Sequence, residues 1–289
     1  MRWLPAAGLA VAVVAVSFGA PLARLTNAAP LAVAAWRMVL AAALIVPFAW
    51  ARGGIAPPTG RRGAVALAGV LLGLHFGLWI PSLWLTSVSA SVLLVETAPL
   101  WVLLASPRFL GVPIRPRNLV SFALAIAGVA VIARGDLELS LRAVLGDLLA
   151  LGGAVACAGY LVVGKRLRGE MPLERYLAVV YGGAALTLVV AVAVLRVPPM
   201  PVDAASWLCL LGLAVVPTLT GHSLLNWALA HLEAYRVNLV MLLEPILATL
   251  WAWLFLAQAP PAHVLPGGAL VLAALALEFL WERVAPTRS

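Results

Sequence analysis

His75, Glu96, His222 and Glu244 are ionisable side chains that stand in largely apolar stretches of sequence. Glu244 directly precedes Pro245, and Glu96 lies three residues before Pro99. Where such stretches cross a bilayer, a charge near the centre costs roughly 2.5–3.5 kcal/mol on insertion scales, so its presence calls for a reason. A nearby proline removes a ladder hydrogen bond and frees a carbonyl, as in the interrupted helices that line polar cavities within membranes. A carboxylate at that depth can hold an ammonium group or carry a proton. Neither histidine has a second ligand at i+3 or i+4, so no metal and no cofactor is expected.

The neighbours of these groups share helical faces. His75, Trp79 and Ser82 follow an i, i+4, i+7 stripe, about 200° around the helix from Gly69, Gly73 and Gly77. The glycines form a small-xxx-small run, which lets two helices approach closely. Thr218, His222 and Asn226 make a second polar stripe. Trp79, Trp101, Tyr160 and Trp227 lie deep enough to stack on a flat or cationic solute. The candidate substrate-binding set is therefore His75, Trp79, Ser82, Glu96, Trp101, Tyr160, Thr218, His222, Asn226, Trp227 and Glu244. Each has an alternative as an ordinary helix-packing group. Arg37, the one arginine well inside an apolar stretch, can snorkel outward or clamp a glutamate or a solute carboxylate.

Composition supplies the membrane these arguments need. Of 289 residues, 64% are hydrophobic and 10% charged, and the mean hydropathy is +1.07. A soluble domain carries about a quarter charged residues. Lipid must be the solvent for most of this exterior. Ten apolar stretches come near the ~20 residues that a spanning helix needs. In the first half they are Leu4–Arg24, Pro30–Trp50, Ala64–Leu85, Val88–Phe109 and a shorter Asn118–Ala133. In the second half they are Leu145–Gly164, Tyr176–Leu195, Ser206–Leu229, Ala234–Leu256 and Pro266–Glu282. With the amino terminus inside, fourteen Lys and Arg fall in cytoplasmic segments and four outside, Arg37 being within a span. That bias agrees with an even number of spans and cytoplasmic termini.

The formal net charge of +8 is spread singly or in small groups between apolar blocks, which argues against a nucleic-acid-binding stripe. Cys157 and Cys209 sit inside apolar blocks without pairing or metal spacing and read as small core residues. Tryptophans 3, 36, 50 and 281 lie near span ends, as an interfacial belt requires.

The chain also resembles itself. At an offset of 146, Leu94–Pro99 faces Val240–Pro245 and Phe109-Leu110 faces Phe255-Leu256; near 140, Ser17-Phe18-Gly19 faces Cys157-Ala158-Gly159. The first stretch, which can pass for a signal peptide, thus has an internal counterpart and is read as an uncleaved first span. Five spans per copy is an odd number, so the second copy enters from the opposite face, giving an all-α integral membrane protein of two inverted five-helix repeats. The repeats are placed at residues 1–135 and 142–283, with a short cytoplasmic tail at 284–289.

At this point the sequence resembles the EamA-type branch of the drug/metabolite transporter superfamily, over roughly residues 8–134 and 144–282. The carriers are Ser17-Phe18-Gly19, Trp36-Arg37, Gly146–Ala150, Gly159-Tyr160, Gly221-His222, Asn226-Trp227, Glu244-Pro245 and Gly267–Leu270. One departure stands out. Such proteins often carry Leu-Gly-Glu after spans 4 and 9, where this chain reads Leu110-Gly111-Val112 and Leu256-Ala257-Gln258.

The resemblance implies a multi-pass inner-membrane exporter of small metabolites such as amino acids, and a structural role for Arg37, which is therefore left outside the binding set. It would work by alternating access around a midplane cavity lined by spans 1, 3, 4, 6, 8 and 9, with spans 5 and 10 as support. Lipophilic-cation efflux on the same fold is the alternative, since buried glutamates and tryptophans suit a cation. A membrane-embedded enzyme is set aside, because no nucleophile elbow, phosphate loop or metal cluster is present in the sequence. The expected partners are the lipid bilayer and a small-molecule substrate; a monomer suffices and a dimer is possible.

Overall fold

The computed structural model describes residues 3–111, 113–167, 170–201, 203–229, 240–241 and 243–284. The start of predicted span 9, residues Arg2, Arg168, Arg236 and Arg288 of the orientation count, and the Asn226 side chain lie outside the described residues. Every regular element is helical, and no strand occurs among the described residues. In order they are α1 (Trp3–Ser17), α2 (Gly19–Arg24), α3 (Pro30–Ala51), α4 (Arg62–Ser82), α5 (Val88–Val95), α6 (Ala98–Phe109) and α7 (Pro116–Leu139). Then come α8 (Leu141–Leu167), α9 (Leu173–Val194), α10 (Ala204–Leu213), a π-helical segment (Ala214–His222), α11 (Ser223–Leu229), α12 (Leu243–Leu256) and α13 (Val264–Val284).

Seven stretches are long and apolar enough to cross a membrane: Leu4–Arg24, Pro30–Ala51, Arg62–Ser82, Val88–Phe109, Leu141–Leu167, Leu173–Val194 and Ala204–Leu225. Three shorter apolar ones, Asn118–Ile132, Leu243–Leu256 and Val264–Leu277, fall on predicted spans 5, 9 and 10. Leu148, Leu186, Val194 and Leu208 are exposed on the outer faces, a surface that lipid solvates and water does not.

Predicted spans 1, 4 and 8 are not continuous helices, and the breaks have one physical cause. Each has a proline whose missing N–H leaves the carbonyl four residues earlier without its ladder partner. Pro21 does this to Ser17, where α1 ends and Phe18 separates it from α2. Pro99 does it to Val95, where α5 ends and Glu96-Thr97 intervene before α6. Pro217 does it to Leu213, and there the Thr218 hydroxyl donates to the Leu213 carbonyl at 2.8 Å while the backbone widens into the π segment. Span 5 is longer than its apolar part, because α7 continues through polar Arg134–Glu138. Span 6 starts earlier than expected, because the Ser140 hydroxyl accepts the Ala143 N–H at 3.1 Å and caps α8.

Helix α4 lies at the centre, packed on α8 and α9; α3 packs on α9, α7 pairs with α13, and α1 lies on the π segment and α11. The approach of α4 to α9 uses the expected glycines. A Cβ at Gly69 would stand 3.0 Å from the Gly183 Cα, and one at Gly73 would stand 2.8 Å from the Thr187 Cβ. Gly221 does the same for the π segment, where a Cβ would meet the Val16 Cγ2 at 2.6 Å.

The two ends of the bundle are tied differently. At one, the Trp36 indole donates to the Pro199 carbonyl at 2.6 Å, and the Asn27 N–H donates to the Ser206 hydroxyl at 2.8 Å. Asp203 caps α10 there by accepting the Ser206 N–H at 2.7 Å, which holds its carboxyl below the usual range. At the other, Arg61 forks onto Glu170 at 2.6 and 2.7 Å. Arg175 donates there to the carbonyls of Gly53 and Gly54 at 2.9 and 3.1 Å, and Arg166 donates to the Phe109 carbonyl. Guanidinium groups from the α8–α9 corner thus cap the carboxyl ends of α3 and α6, where the helix dipole favours cations.

Candidate functional site

The breaks in the helices surround a cavity of about 210 Å³. Helix α4 contributes Leu72, His75, Phe76 and Trp79, one i, i+3, i+4, i+7 stripe. The interruption between α5 and α6 contributes Glu96, the start of α6 contributes Ala98 and Pro99, and the start of α12 contributes Glu244. Thr218 and His222 reach it from the π segment, Cys157 and Tyr160 from α8. Irregular backbone at membrane depth is tolerated where it lines such a space, and π segments recur at functional sites.

Seven members of the candidate set therefore meet on one cavity: His75, Trp79, Glu96, Tyr160, Thr218, His222 and Glu244. Three others lie elsewhere. Ser82 is one turn beyond the cavity, where its hydroxyl donates to the Trp79 carbonyl at 2.6 Å and pairs with the Ser91 hydroxyl at 2.6 Å, joining α4 to α5. The Trp101 indole donates to the Thr97 hydroxyl at 3.2 Å and packs against the core. Trp227 covers Gly8 of α1, where a Cβ would stand 2.8 Å from its ring. Asn226, the eleventh, falls outside the described side chains.

The lining also includes residues outside the set, among them Arg37, Phe76 and Tyr181. Phe76 is legible as the residue four after Leu72 and three before Trp79, on the same stripe of α4. Arg37 and Tyr181 come from α3 and α9, and Leu275 from α13, so predicted spans 2, 7 and 10 also reach the cavity. They do so because α3 and α9 pack against each other and α9 also packs against α4. Nothing local in the sequence encodes that neighbourhood.

The polar contacts around the cavity are specific. The His75 Nδ1 lies 3.0 Å from the Gly153 carbonyl. A carbonyl accepts only, so this contact makes Nδ1 the donor and leaves Nε2 to accept. The His75 ring stacks on Trp79 with centroids 5.9 Å apart and planes 11° apart. Arg37 is 1% exposed; its Nε donates to the Thr218 hydroxyl at 2.8 Å, and its guanidinium carbon sits 4.1 Å from the Phe76 ring centroid. Glu244 lies within electrostatic reach of both Arg37 and Glu96. Among the described residues no carboxylate forms an ion pair with Arg37 within 4 Å.

The Ser17-Phe18-Gly19 motif acquires a physical reading. The Trp251 indole of α12 donates to the Ser17 hydroxyl at 2.9 Å, and Phe18 stacks on the Trp251 ring with centroids 4.9 Å apart. Gly19 keeps open the space beside Arg37 and Trp79: a Cβ there would lie 3.8 Å from the Arg37 Nη1 and 3.5 Å from the Trp79 ring.

The description "EamA-like transporter family" matches residues 3–134 and again residues 144–280. The chain belongs to the EamA-like transporter family. This EamA-like chain is 28% identical over 288 residues to the "Threonine/homoserine exporter RhtA" of Escherichia coli, covering 94% of this chain and 90% of the relative. It is 24% identical over 258 residues to an "Uncharacterized transporter" of Archaeoglobus fulgidus, covering 86% and 87%. A solved crystal structure superposes with a TM-score of 0.66 at 22% identity, covering 99% of this chain and 100% of its own, which concerns the fold alone. The EamA-like chain is thus a multi-pass membrane protein of the drug/metabolite transporter superfamily.

Proposed function

We propose that this chain is a secondary active exporter of amino acids or similarly small zwitterions, working by alternating access around the cavity. The observation that carries the reading is the pooling of a cation, Arg37, and two carboxylates, Glu96 and Glu244, in one space of about 210 Å³. Opposite charges in one small enclosure match a solute that carries both. The RhtA relative, named for threonine and homoserine, supports the substrate class.

The architecture of the proposal is ten spans in two inverted repeats, with both termini cytoplasmic in the inner membrane. One family description matching twice, at residues 3–134 and 144–280, supports the repeat. So does the packing, in which α4 lies on α8 much as the π segment and α11 lie on α1, its counterparts if the halves are exchanged. Rocking one half against the other would break the guanidinium contacts at one end and the Trp36 and Asn27 contacts at the other in turn. Glu96 or Glu244 couples the cycle to protons, since a carboxyl at that depth can exchange one between the two faces.

Counterflow of a labelled amino acid in proteoliposomes tests the function, and Glu244→Gln tests the coupling. Uptake and pH dependence unchanged in Glu244→Gln would remove Glu244 from the mechanism. The second reading, lipophilic-cation efflux, is favoured by the same carboxylates beside the Phe76, Trp79 and Tyr160 rings. Drug-sized ligands generally need ~300–1,000 Å³, more than this cavity offers. Displacement of the labelled amino acid by a quaternary ammonium dye, with no displacement by other amino acids, would favour it instead.

A further inference from the structure

We infer that Arg37, together with the indole N–H of Trp79, binds the carboxylate of the transported solute. The inference deepens the reading above and rests on it for the claim that the cavity carries a solute. It stands on four features of the cavity. Arg37 is 1% exposed and lines the cavity. Its guanidinium is fixed in place by the Thr218 hydroxyl 2.8 Å from Nε and by the Phe76 ring beneath it. Among the described residues its Nη1 nevertheless has no acceptor, and neither does the buried Trp79 Nε1, a second donor on the same cavity. Gly19 leaves room beside both, since a side chain there would touch the Arg37 Nη1 and the Trp79 ring.

Arginine and indole nitrogens only donate. Two such groups buried without acceptors are costly unless an acceptor arrives in the working cycle. A planar carboxylate is the group a guanidinium fork is shaped for, and it supplies the counter-charge that none of the described residues places within 4 Å of Arg37. Cation–π contact with Phe76 leaves the edge of the guanidinium, where its N–H groups point, available to the ligand. The competing account gives Arg37 a purely structural task, holding the π segment through Thr218. It predicts equal damage to every solute when Arg37 changes.

The test is a solute panel in proteoliposome counterflow, run with the wild type, Arg37→Lys and Trp79→Phe. The panel holds L-threonine, its amide, the corresponding amino alcohol, a 2-hydroxy acid of the same size and a quaternary ammonium cation. Both variants keep the charge or the ring, and a thermal-unfolding measurement with and without each solute gives a readout independent of translocation. The wild type is expected to favour the carboxylate-bearing solutes about 10-fold or more over the amide and the alcohol. Arg37→Lys should reduce that preference about 10-fold, Trp79→Phe by less, with KM moving more than the maximal rate. Equal competition by the amide and the alcohol, or a uniform loss across the panel, overturns the inference while leaving transport intact. Carriage of the 2-hydroxy acid without threonine overturns the amino-acid reading and keeps the carboxylate site. Stabilisation by the cation alone overturns both.

Discussion

The two faces of α4 are built on opposite terms. On one, Gly69 and Gly73 bring the backbone of α4 against α9 so closely that a single added carbon meets Cα or Cβ atoms at 2.8–3.0 Å. On the other, His75, Phe76 and Trp79 hold large rings around a space, and the Trp79 N–H has no partner among the described residues. Within a membrane, apolar area does not drive helices together, so close van der Waals contact on the glycine face has to do so. The cavity face gives up part of that stability by leaving space and an unanswered donor, the usual trade at a functional site. The difference teaches that substitutions on α4 should separate into those that lose the fold and those that lose only transport.

The largest effect is expected at Gly73. A leucine there must displace the Thr187 side chain and the Ala184 carbonyl, which a Cβ would already approach at 2.8 and 3.1 Å. Overpacking against backbone should cost about 3 kcal/mol or more, seen as lost monodisperse protein and a lowered unfolding temperature in detergent. A wild-type unfolding temperature in Gly73→Leu would mean that the glycine face does not hold α4 to α9.

His75 tests the other face. Alanine removes the contact with the Gly153 carbonyl and the ring stacked on Trp79. Stability should fall by only about 1–2 kcal/mol, while counterflow falls about 10-fold. Loss of the fold with no separate loss of transport would erase the distinction between the faces. Trp79→Phe goes further, because it removes a buried donor that has no acceptor. It should raise stability by about 1 kcal/mol while transport weakens. A destabilised Trp79→Phe would show that the indole N–H is satisfied within the protein.

The glycine face of α4 was readable in the sequence because helical periodicity puts residues four apart on one side. The cavity stripe was readable to Trp79 but not beyond it: Ser82 continues the spacing, yet at that level α5 crosses and takes its hydroxyl into a pair with Ser91. Pro99 signals its interruption in the sequence, whereas Pro21 and Pro217 lie in spans that hydropathy reads as continuous, because hydropathy is blind to a missing N–H. Arg37 stays outside the binding set on the structural role that the resemblance implies, and its actual surroundings, Thr218 at 181 residues' distance and the Phe76 ring, have no local sign in the sequence. Tyr181 likewise gave no local sign. What periodicity and punctuation encode was legible; what two distant helices do to one another was not.

The smallest predicted effect is the sharpest check on why the glycines matter. Gly182 and Gly183 are neighbours on α9, but they face different surroundings. A Cβ at Gly183 would stand 3.2 Å from the Gly69 Cα, whereas one at Gly182 would find nothing within 4 Å. If glycine is required on this helix for close approach alone, Gly182→Ala should be harmless. It should even stabilise α9 by about 0.5–1 kcal/mol, because glycine is the poorer helix former. Gly183→Ala should lower stability instead, since Gly69 has no side chain to move aside. Thermal unfolding of the two variants side by side reads the difference. Equal losses at both positions would assign the requirement to backbone flexibility of α9 rather than to its contact with α4.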